Sequence, residues 1–181
     1  MGKSTQAELL VERLKKEGID AYHWKYPIYD LEPSGPLINQ YLRGGNPYDL
    51  SGREIQLLYS MNRYQYEYVL KTALNEGKFL VIEDYTWTGI AWGMGRGVDE
   101  TFLRKINSGL YKEDLCFWFD GERFQSGIEK HHKHENDDEL VKKVREYHAI
   151  FANENAWIPI NANDSISDIQ TKIWDIVAKM I

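Results

Sequence analysis

After its first methionine the chain begins Gly2-Lys3-Ser4-Thr5-Gln6, which matches the second half of a phosphate-binding loop. The full pattern is G-x-x-x-x-G-K-[ST], placed between a strand and a helix. Its backbone N–H groups and its lysine hold phosphate oxygens, and its Ser or Thr hydroxyl ligates Mg²⁺. The short match alone is a weak indication, because an ordinary helix can also begin with Gly, Lys and Ser. The segments around it therefore decide whether it predicts phosphoryl transfer from a nucleoside triphosphate.

The segment that follows the loop supports that prediction. Leu9, Leu10 and Leu14 form an apolar helical stripe, and Glu17-Gly18 is a helix stop. The next residues, 19–26, are typical of a strand that ends at Pro27. Loop, helix, glycine and strand follow one another as in a nucleotide-binding βαβ unit, except that the first strand is missing.

We therefore expect a chain that is short at its N-terminus. Two explanations stay open: a start assigned too late, at an internal methionine, or a genuine truncation. The first is favoured, because a missing strand would leave neighbouring backbone groups unpaired and helix faces uncovered.

Helices and short apolar strands alternate along the rest of the chain. Ser51 is placed to cap a long helix, with Glu54 at the capping-box position. The predicted helices are 36–42, 51–75, 99–108, 138–155 and one capped by Ser165 or Ser167, and the predicted strands are 78–82, 115–119 and 157–160. This alternation predicts one α/β domain over 1–181, a three-layer α/β/α sandwich with a parallel sheet. In such a sheet Glu83-Asp84-Tyr85 lies at a strand's C-terminal end, where ligands bind.

The composition limits the possible functions. A net charge of −6 argues against a broad surface that binds nucleic acid. Any phosphate binding therefore has to come from a local cluster of positive groups. Cys116 is the only cysteine, which excludes an intrachain disulfide and a cysteine-based zinc site. Neither a membrane span nor a secretory signal is recognisable, so a cytoplasmic protein is the default expectation.

Five segments, in order along the chain, resemble the thymidylate kinase family. They are Gly2 to Gln6; Tyr26-Pro27 with Gly35 and Tyr41-Leu42; Leu57 to Arg63; Glu83 to Trp92; and Gly93 to Gly97. The family's patterns are the end of the phosphate loop, F-P…G…Y-L, L-L-F-S-A-N-R, D-R-Y-x-x-S-x-x-A-[YF] and the G-x-G-R-G of bacterial members. Each match is moderate, but five in order with matching spacing cover essentially the whole chain.

The resemblance implies a P-loop nucleoside monophosphate kinase fold, usually paired into a homodimer. It implies transfer of the γ-phosphoryl group of ATP to dTMP, which gives dTDP and ADP for dTTP biosynthesis, with Mg²⁺ as the cofactor. Two other functions stay open: a deoxynucleoside kinase, in which an acid near Glu83 acts as base on a hydroxyl, and a nucleotide-binding homologue that has lost catalysis.

On the donor side, the resemblance gives roles to residues at both ends of the chain. Gly2, Lys3, Ser4 and Thr5 would bind ATP, with Lys3 between the β- and γ-phosphates and Ser4 on Mg²⁺. The turn that contains Asn163 would border the adenine. The alternatives are an exposed N-terminal lysine, a helix cap and a plain turn.

On the acceptor side, Tyr59 would stack on the thymine ring and Arg63, one helical turn later, would donate to its O4. The alternative is a core tyrosine beside a surface arginine. Thr88 and Trp92 would line the same pocket, or would serve only in packing.

Two positions depart from the family pattern. Glu83 stands at the family's Asp, where it would hold Mg²⁺ through water or orient the acceptor phosphate. The next residue in the family is an arginine that grips phosphate, whereas this chain has Asp84. Tyr29 replaces a second phosphate-binding arginine. Each such charge-assisted contact is worth roughly 1.5–3 kcal/mol, so another cation has to compensate. The candidates are Arg96, Arg43 and Arg53, of which Arg96 is favoured.

The polar segment 120–137 is predicted to be a lid that closes over the phosphates and excludes water. Arg123 matches the family's lid arginine and is a candidate catalytic residue. His131, His132 and His134 lie among lysines, and His131 with His134 would share a helix face. A cationic lid explains this composition better than a metal site does.

Overall fold

The computed structural model describes residues 2–121 and 137–181, in which seven helices alternate with four short strands. The helices are α1 (Lys3–Lys16), α2 (Ser34–Arg43), α3 (Gly52–Asn75), α4 (Thr86–Gly95), α5 (Glu100–Ile106), α6 (Asp138–Glu154) and α7 (Ile166–Val177). The strands are β1 (Ala21–Lys25), β2 (Phe79–Glu83), β3 (Phe117–Asp120) and β4 (Ile158–Asn161). No described helix is both long enough and apolar enough to cross a lipid bilayer.

The described strands form two parallel pairs rather than one continuous sheet. β1 pairs with β2, with Lys25 opposite Glu83, and β3 pairs with β4. Both pairs pack on one apolar cluster that is built largely from α1 and α7. The predicted strand at 78–82 was expected to be buried, but Phe79 to Ile82 are only half-buried. Among the described residues no strand pairs with the second edge of β2 or of β3.

The predicted helix starts at Ser51 and Ser165 are confirmed. Ser51 accepts a hydrogen bond from the Glu54 backbone, and the Glu54 carboxylate accepts one from the Ser51 backbone, which completes the capping box. Ser165 rather than Ser167 caps α7. In α6, Leu140, Val144 and Phe151 are buried on one side of the helix. Ile150, on the same helix, is exposed.

The segment 87–97 contains most of a helix, α4, that is not among the helices predicted from the sequence. Glycine disfavours helix by about 1 kcal/mol relative to alanine, but here tertiary packing outweighs that cost. A Cβ on Gly93 would stand 2.7 Å from a Leu103 methyl carbon, and one on Gly95 would stand 2.8 Å from a Val144 methyl carbon. The glycines thus allow α5 and α6 to approach α4 closely.

Candidate active site

The N-terminus of α1 faces the C-terminal ends of β1 and β2. Gly2, the residue that precedes the helix, has the left-handed φ of 69° that glycine adopts without strain. It has no side chain to accept hydrogen bonds from the first helical turn, and the first turn carries no acidic residue. A helix start of this kind attracts anions through its backbone N–H groups. The loop residues thus form an uncapped helix start that faces two strand ends, and phosphate binding there stays a prediction.

Two carboxylates from the end of β2 meet the loop. Lys3 Nζ lies 2.6 Å from Asp84 Oδ1, and Ser4 donates a 3.0 Å hydrogen bond from Oγ to Glu83 Oε2. Asp84 adopts a positive φ of 56°, a conformation that Asp tolerates better than most residues. The aspartate that was predicted at an acceptor-phosphate position is therefore directed at the lysine predicted to bind the donor. Lys3 is therefore paired with a carboxylate while its side chain is still 37% exposed, so the alternative of an exposed N-terminal lysine stays open.

The Glu83 carboxylate is buried and is held from a second side by β1. The His23 ring donates from Nε2 to Glu83 Oε1 across 2.7 Å, and Lys25 Nζ lies 3.7 Å from Glu83 Oε2. Lys25 also donates to Ser4 Oγ at 3.4 Å. Neither β1 residue was among the site residues predicted from the sequence. The sequence did offer one indication. His23 and Lys25 are two residues apart in a strand that ends at the edge of the sheet where ligands bind, and alternate residues share one face of a strand.

Arg63 is buried in the predicted acceptor pocket, so the alternative of a surface arginine is wrong. Its Nε and Nη2 donate to Asn107 Oδ1 at 3.1 and 2.9 Å, and its guanidinium packs against Gly89 of α4. Burial lowers the pKa of Arg63 to about 10, against the raising effect of neighbouring phenols that include Tyr59. Burial likewise raises the pKa of Tyr59 above its usual range. The predicted pair thus shares one poorly hydrated region.

Asn62, the neighbour of Arg63, fixes the loop that follows β1. Its side chain accepts a hydrogen bond from the Ile28 N–H and donates one to the Ile28 carbonyl, both at 2.8 Å. It also donates to Ser34 Oγ at the start of α2. The loop that carries Tyr29 is therefore attached to the helix that carries Tyr59 and Arg63.

Arg96, the favoured replacement cation, follows α4. Burial raises the pKa values of Tyr41 and Tyr59, and the positive charge of Arg96 opposes that rise. Its Nε is buried and has no hydrogen-bond partner among the described residues. The other two candidates are engaged with rings: the Arg43 guanidinium lies 4.7 Å from the Tyr29 ring centroid and that of Arg53 lies 4.0 Å from the Phe102 centroid.

The two α4 residues predicted to line the acceptor pocket differ in their surroundings. Thr88 precedes Gly89, which contacts the Arg63 guanidinium. Trp92 packs, partly buried, against the apolar cluster of Ile90, Ala91 and Leu103. The packing role of Trp92 is therefore present in the structure, and a substrate role for either residue stays a prediction.

The turn after β4 approaches the phosphate loop. A small, mainly apolar cavity of about 160 Å³ is lined by Gly2, Thr5, Gln6, Ala162, Asp164, Ile166 and Ile169. Asn163 is not among the lining residues; its backbone N–H donates to Asn161 Oδ1. The turn thus lies beside the predicted phosphate-loop residues through the neighbours of Asn163, and its role toward adenine stays a prediction.

The greater part of the predicted lid, 122–136, lies outside the described residues, and with it Arg123, His131, His132 and His134. Within 2–121 and 137–181, no three histidine, cysteine or carboxylate side chains are grouped as a metal site.

The chain is similar over its whole length to known proteins. The sequence model of the family "Thymidylate kinase" matches residues 1–173. The thymidylate kinase of Plasmodium falciparum is 32% identical over 99% of this chain and 85% of its own length. The human thymidylate kinase is 27% identical over 95% of this chain and 82% of its own length. A solved thymidylate kinase structure from Candida albicans superposes with a TM-score of 0.82 at 25% identity, covering 98% of this chain and 86% of that one.

Proposed function

This chain belongs to the thymidylate kinase family, and from that membership we propose that it transfers the γ-phosphoryl group of ATP to dTMP, releasing dTDP and ADP. The observation that carries the proposal is the meeting of Lys3 and Ser4, at the start of α1, with Glu83 and Asp84 at the end of β2. The half-buried Tyr59 and the buried Arg63 supply the acceptor side.

On the donor side, the triphosphate lies along the first turn of α1. The backbone N–H groups and the Lys3 ammonium bind its oxygens, which places positive charge where negative charge grows during transfer. Lys3 exchanges its contact with Asp84 for phosphate oxygens as the nucleotide binds. Adenine occupies the region of the 161–164 turn, beside the small cavity described above.

The residues present fit Mg²⁺. Ser4 Oγ and Glu83 Oε2 are oxygen donors 3.0 Å apart, and Mg²⁺ prefers one or two carboxylates together with substrate phosphates. Bound there through Ser4, with Glu83 as a direct or water-mediated ligand, it would neutralise charge on the β- and γ-phosphates.

On the acceptor side, the Tyr59 ring stacks on thymine and the Arg63 guanidinium donates to O4. Two of the Arg63 nitrogens already bind Asn107, which fixes the plane of the group before substrate arrives. Thr88 and Trp92 line the pocket from α4, and Arg123, outside the described residues, keeps its predicted role as a catalytic residue. An acceptor held in this way has its phosphate oxygen in line with the γ-phosphorus, which is the main requirement of this chemistry.

The test is an assay of the protein with ATP, Mg²⁺ and either dTMP or thymidine. We expect dTDP to form from dTMP, and no product from thymidine. Phosphorylation of thymidine without phosphorylation of dTMP would refute the proposed acceptor. Failure to bind Mg·ATP in calorimetry would refute kinase activity altogether.

Arg96 is proposed to bind the acceptor phosphate in place of the arginines that the family carries at Tyr29 and Asp84. We expect Arg96→Ala to raise the KM for dTMP or lower kcat about tenfold, because a charge-assisted contact contributes roughly 1.5–3 kcal/mol. The Mg·ATP affinity should stay within about twofold, since the donor site has its own groups.

The matched control for Arg96 is Arg53→Ala, which removes an arginine that lies over the Phe102 ring. Its dTMP kinetics should equal those of the unaltered protein. Equal kinetics for Arg96→Ala as well would show that the replacement cation lies elsewhere.

We also propose that the protein forms a homodimer through α3. Leu57, Tyr64 and Tyr68 are exposed along one side of this helix, and Tyr68 is 80% exposed. An exposed apolar stripe of this kind is typical of a protein interface. Sedimentation equilibrium tests the proposal, and a monomer at every concentration would contradict it.

A further inference from the structure

Lys25 is the last residue of β1 and projects its side chain into the donor site. Its Nζ lies 3.4 Å from Ser4 Oγ and 3.7 Å from Glu83 Oε2. Ser4 is one of the residues that would hold Mg²⁺, which would supply positive charge beside the phosphates. The Lys25 ammonium therefore contacts a residue, Ser4, that is proposed to lie beside the γ-phosphoryl group.

The charges around this place call for a further cation. Glu83 and Asp84 bring two carboxylates, whereas the family pattern has one carboxylate followed by an arginine. Lys3 is the cation nearest to Asp84, and the pair forms a close contact of 2.6 Å. Without Lys25 the two carboxylates would outnumber the one lysine in this group. Entry of an anionic triphosphate would then be opposed by the local charge.

The contacts of Lys25 are long enough to be exchanged for a ligand. Its side chain is 55% exposed, and both of its contact distances exceed those of a short ion pair. Glu83 Oε1 already accepts the much shorter 2.7 Å hydrogen bond from His23, and Oε2 accepts the Ser4 hydroxyl. An exposed, loose ion pair contributes at most about 1 kcal/mol to stability. These long contact distances therefore argue against a mainly structural role for Lys25 in holding Glu83 in place.

We propose that Lys25 is a catalytic residue whose ammonium contacts the γ-phosphoryl oxygens of ATP, an inference that rests on the proposed function. In the transfer, the bond between the γ-phosphorus and the β–γ bridging oxygen breaks and its electron pair stays on ADP. A bond from an acceptor phosphate oxygen to the γ-phosphorus forms. Lys25 keeps its proton throughout and stabilises the charge that spreads over the transferred oxygens.

The experiment compares Lys25→Met, Lys25→Arg and the control Lys78→Met. Methionine keeps the apolar stem and removes the charge, whereas arginine keeps the charge. Lys78 precedes β2 at the opposite end of the strand pair and lies 2.7 Å from Glu76. Steady-state kinetics give kcat and the KM for dTMP, calorimetry gives the affinity for Mg·ATP, and thermal unfolding reports on the fold.

We expect Lys25→Met to lower kcat about 100-fold, the effect of removing one preorganised group at the reacting centre. The affinity for Mg·ATP should fall about tenfold, by roughly 1.4 kcal/mol, while the KM for dTMP changes little. Lys25→Arg should keep most of the affinity, and Lys78→Met should match the unaltered protein in every measurement.

Two results would overturn the inference: Lys25→Met equal to Lys78→Met in both kcat and Mg·ATP affinity, or Lys25→Arg as impaired as Lys25→Met. These results leave the proposed function intact. If Lys25→Met weakens Mg·ATP but the unaltered protein phosphorylates no dTMP, the proposed function fails and the contact between Lys25 and the triphosphate stands.

Discussion

Replacing Lys3 by methionine is expected to lower kcat by about 100- to 1000-fold, the range for loss of one preorganised group that stabilises transition-state charge. Lys3 is at the start of α1 with its ammonium 2.6 Å from Asp84 Oδ1, beside the hydroxyl of Ser4. Methionine fills the same space, so the first turn of the helix stays intact and the charge alone is lost. Steady-state kinetics with dTMP as the acceptor measure the effect, and calorimetry measures the accompanying loss of Mg·ATP affinity.

The control for this substitution is Lys16→Met, at the exposed end of the same helix. It removes an equal charge far from the candidate site, so its kinetics should match those of the unaltered protein. The Lys3 substitution leaves Asp84 without its ion-pair partner, but Asp84 is about one-fifth exposed and can be hydrated. Its thermal unfolding should therefore change little. A Lys3→Met protein with undiminished kcat would show that the phosphate loop does not bind the donor.

Replacing Gly35 by alanine is expected to lower the free energy of unfolding by about 3 kcal/mol, the upper part of the range for overpacking in a tight site. A Cβ at this position would overlap the Tyr29 carbonyl oxygen and would stand 2.5 Å from that of Ile28. Both obstacles are backbone atoms, so no side-chain rotation can relieve the overlap. Because Asn62 holds Ile28 through two hydrogen bonds, the loop cannot retreat without breaking them. Urea unfolding measures the loss of stability.

Gly52→Ala is the matched control, because it makes the same change in the first turn of α3. There the nearest atom to the new Cβ would be a Val98 methyl carbon at 3.4 Å. Alanine should be neutral or stabilising, by up to about 1 kcal/mol, because it favours helix over glycine. Equal unfolding free energies for the Gly35 and Gly52 variants would show that the loop accommodates a side chain.

Local sequence patterns correctly predicted those features of the fold that depend only on interactions between residues close together in the sequence. The capping box of Ser51 and Glu54 and the cap of α7 at Ser165 need only neighbouring residues, and both are confirmed. The motif order that resembles the thymidylate kinase family located the loop, the α3 pair and the end of β2, and the family is confirmed.

The features that sequence patterns missed depend on tertiary contacts. No helix was predicted at α4, whose glycines disfavour a helix on their own but form one because α5 and α6 pack close to them. His23 and Lys25 lie in an ordinary strand pattern, and only the register of β1 with β2 brings them to Glu83. Asp84 was recognised as a reversed charge, but its partner, 81 residues away, was not predictable from its neighbours.

The glycine-mediated packing of α4 makes its order dependent on its neighbours. With Gly89, Gly93 and Gly95 in ten residues, its intrinsic helicity is low, and its stability comes from α3, α5 and α6. Gly95 contacts Leu140 and Val144 of α6, the helix that begins just after the predicted lid. We therefore expect detachment of α6 to unravel α4 as well and to expose the Arg63 guanidinium that Gly89 covers, so that the two helices open and close as one cooperative unit.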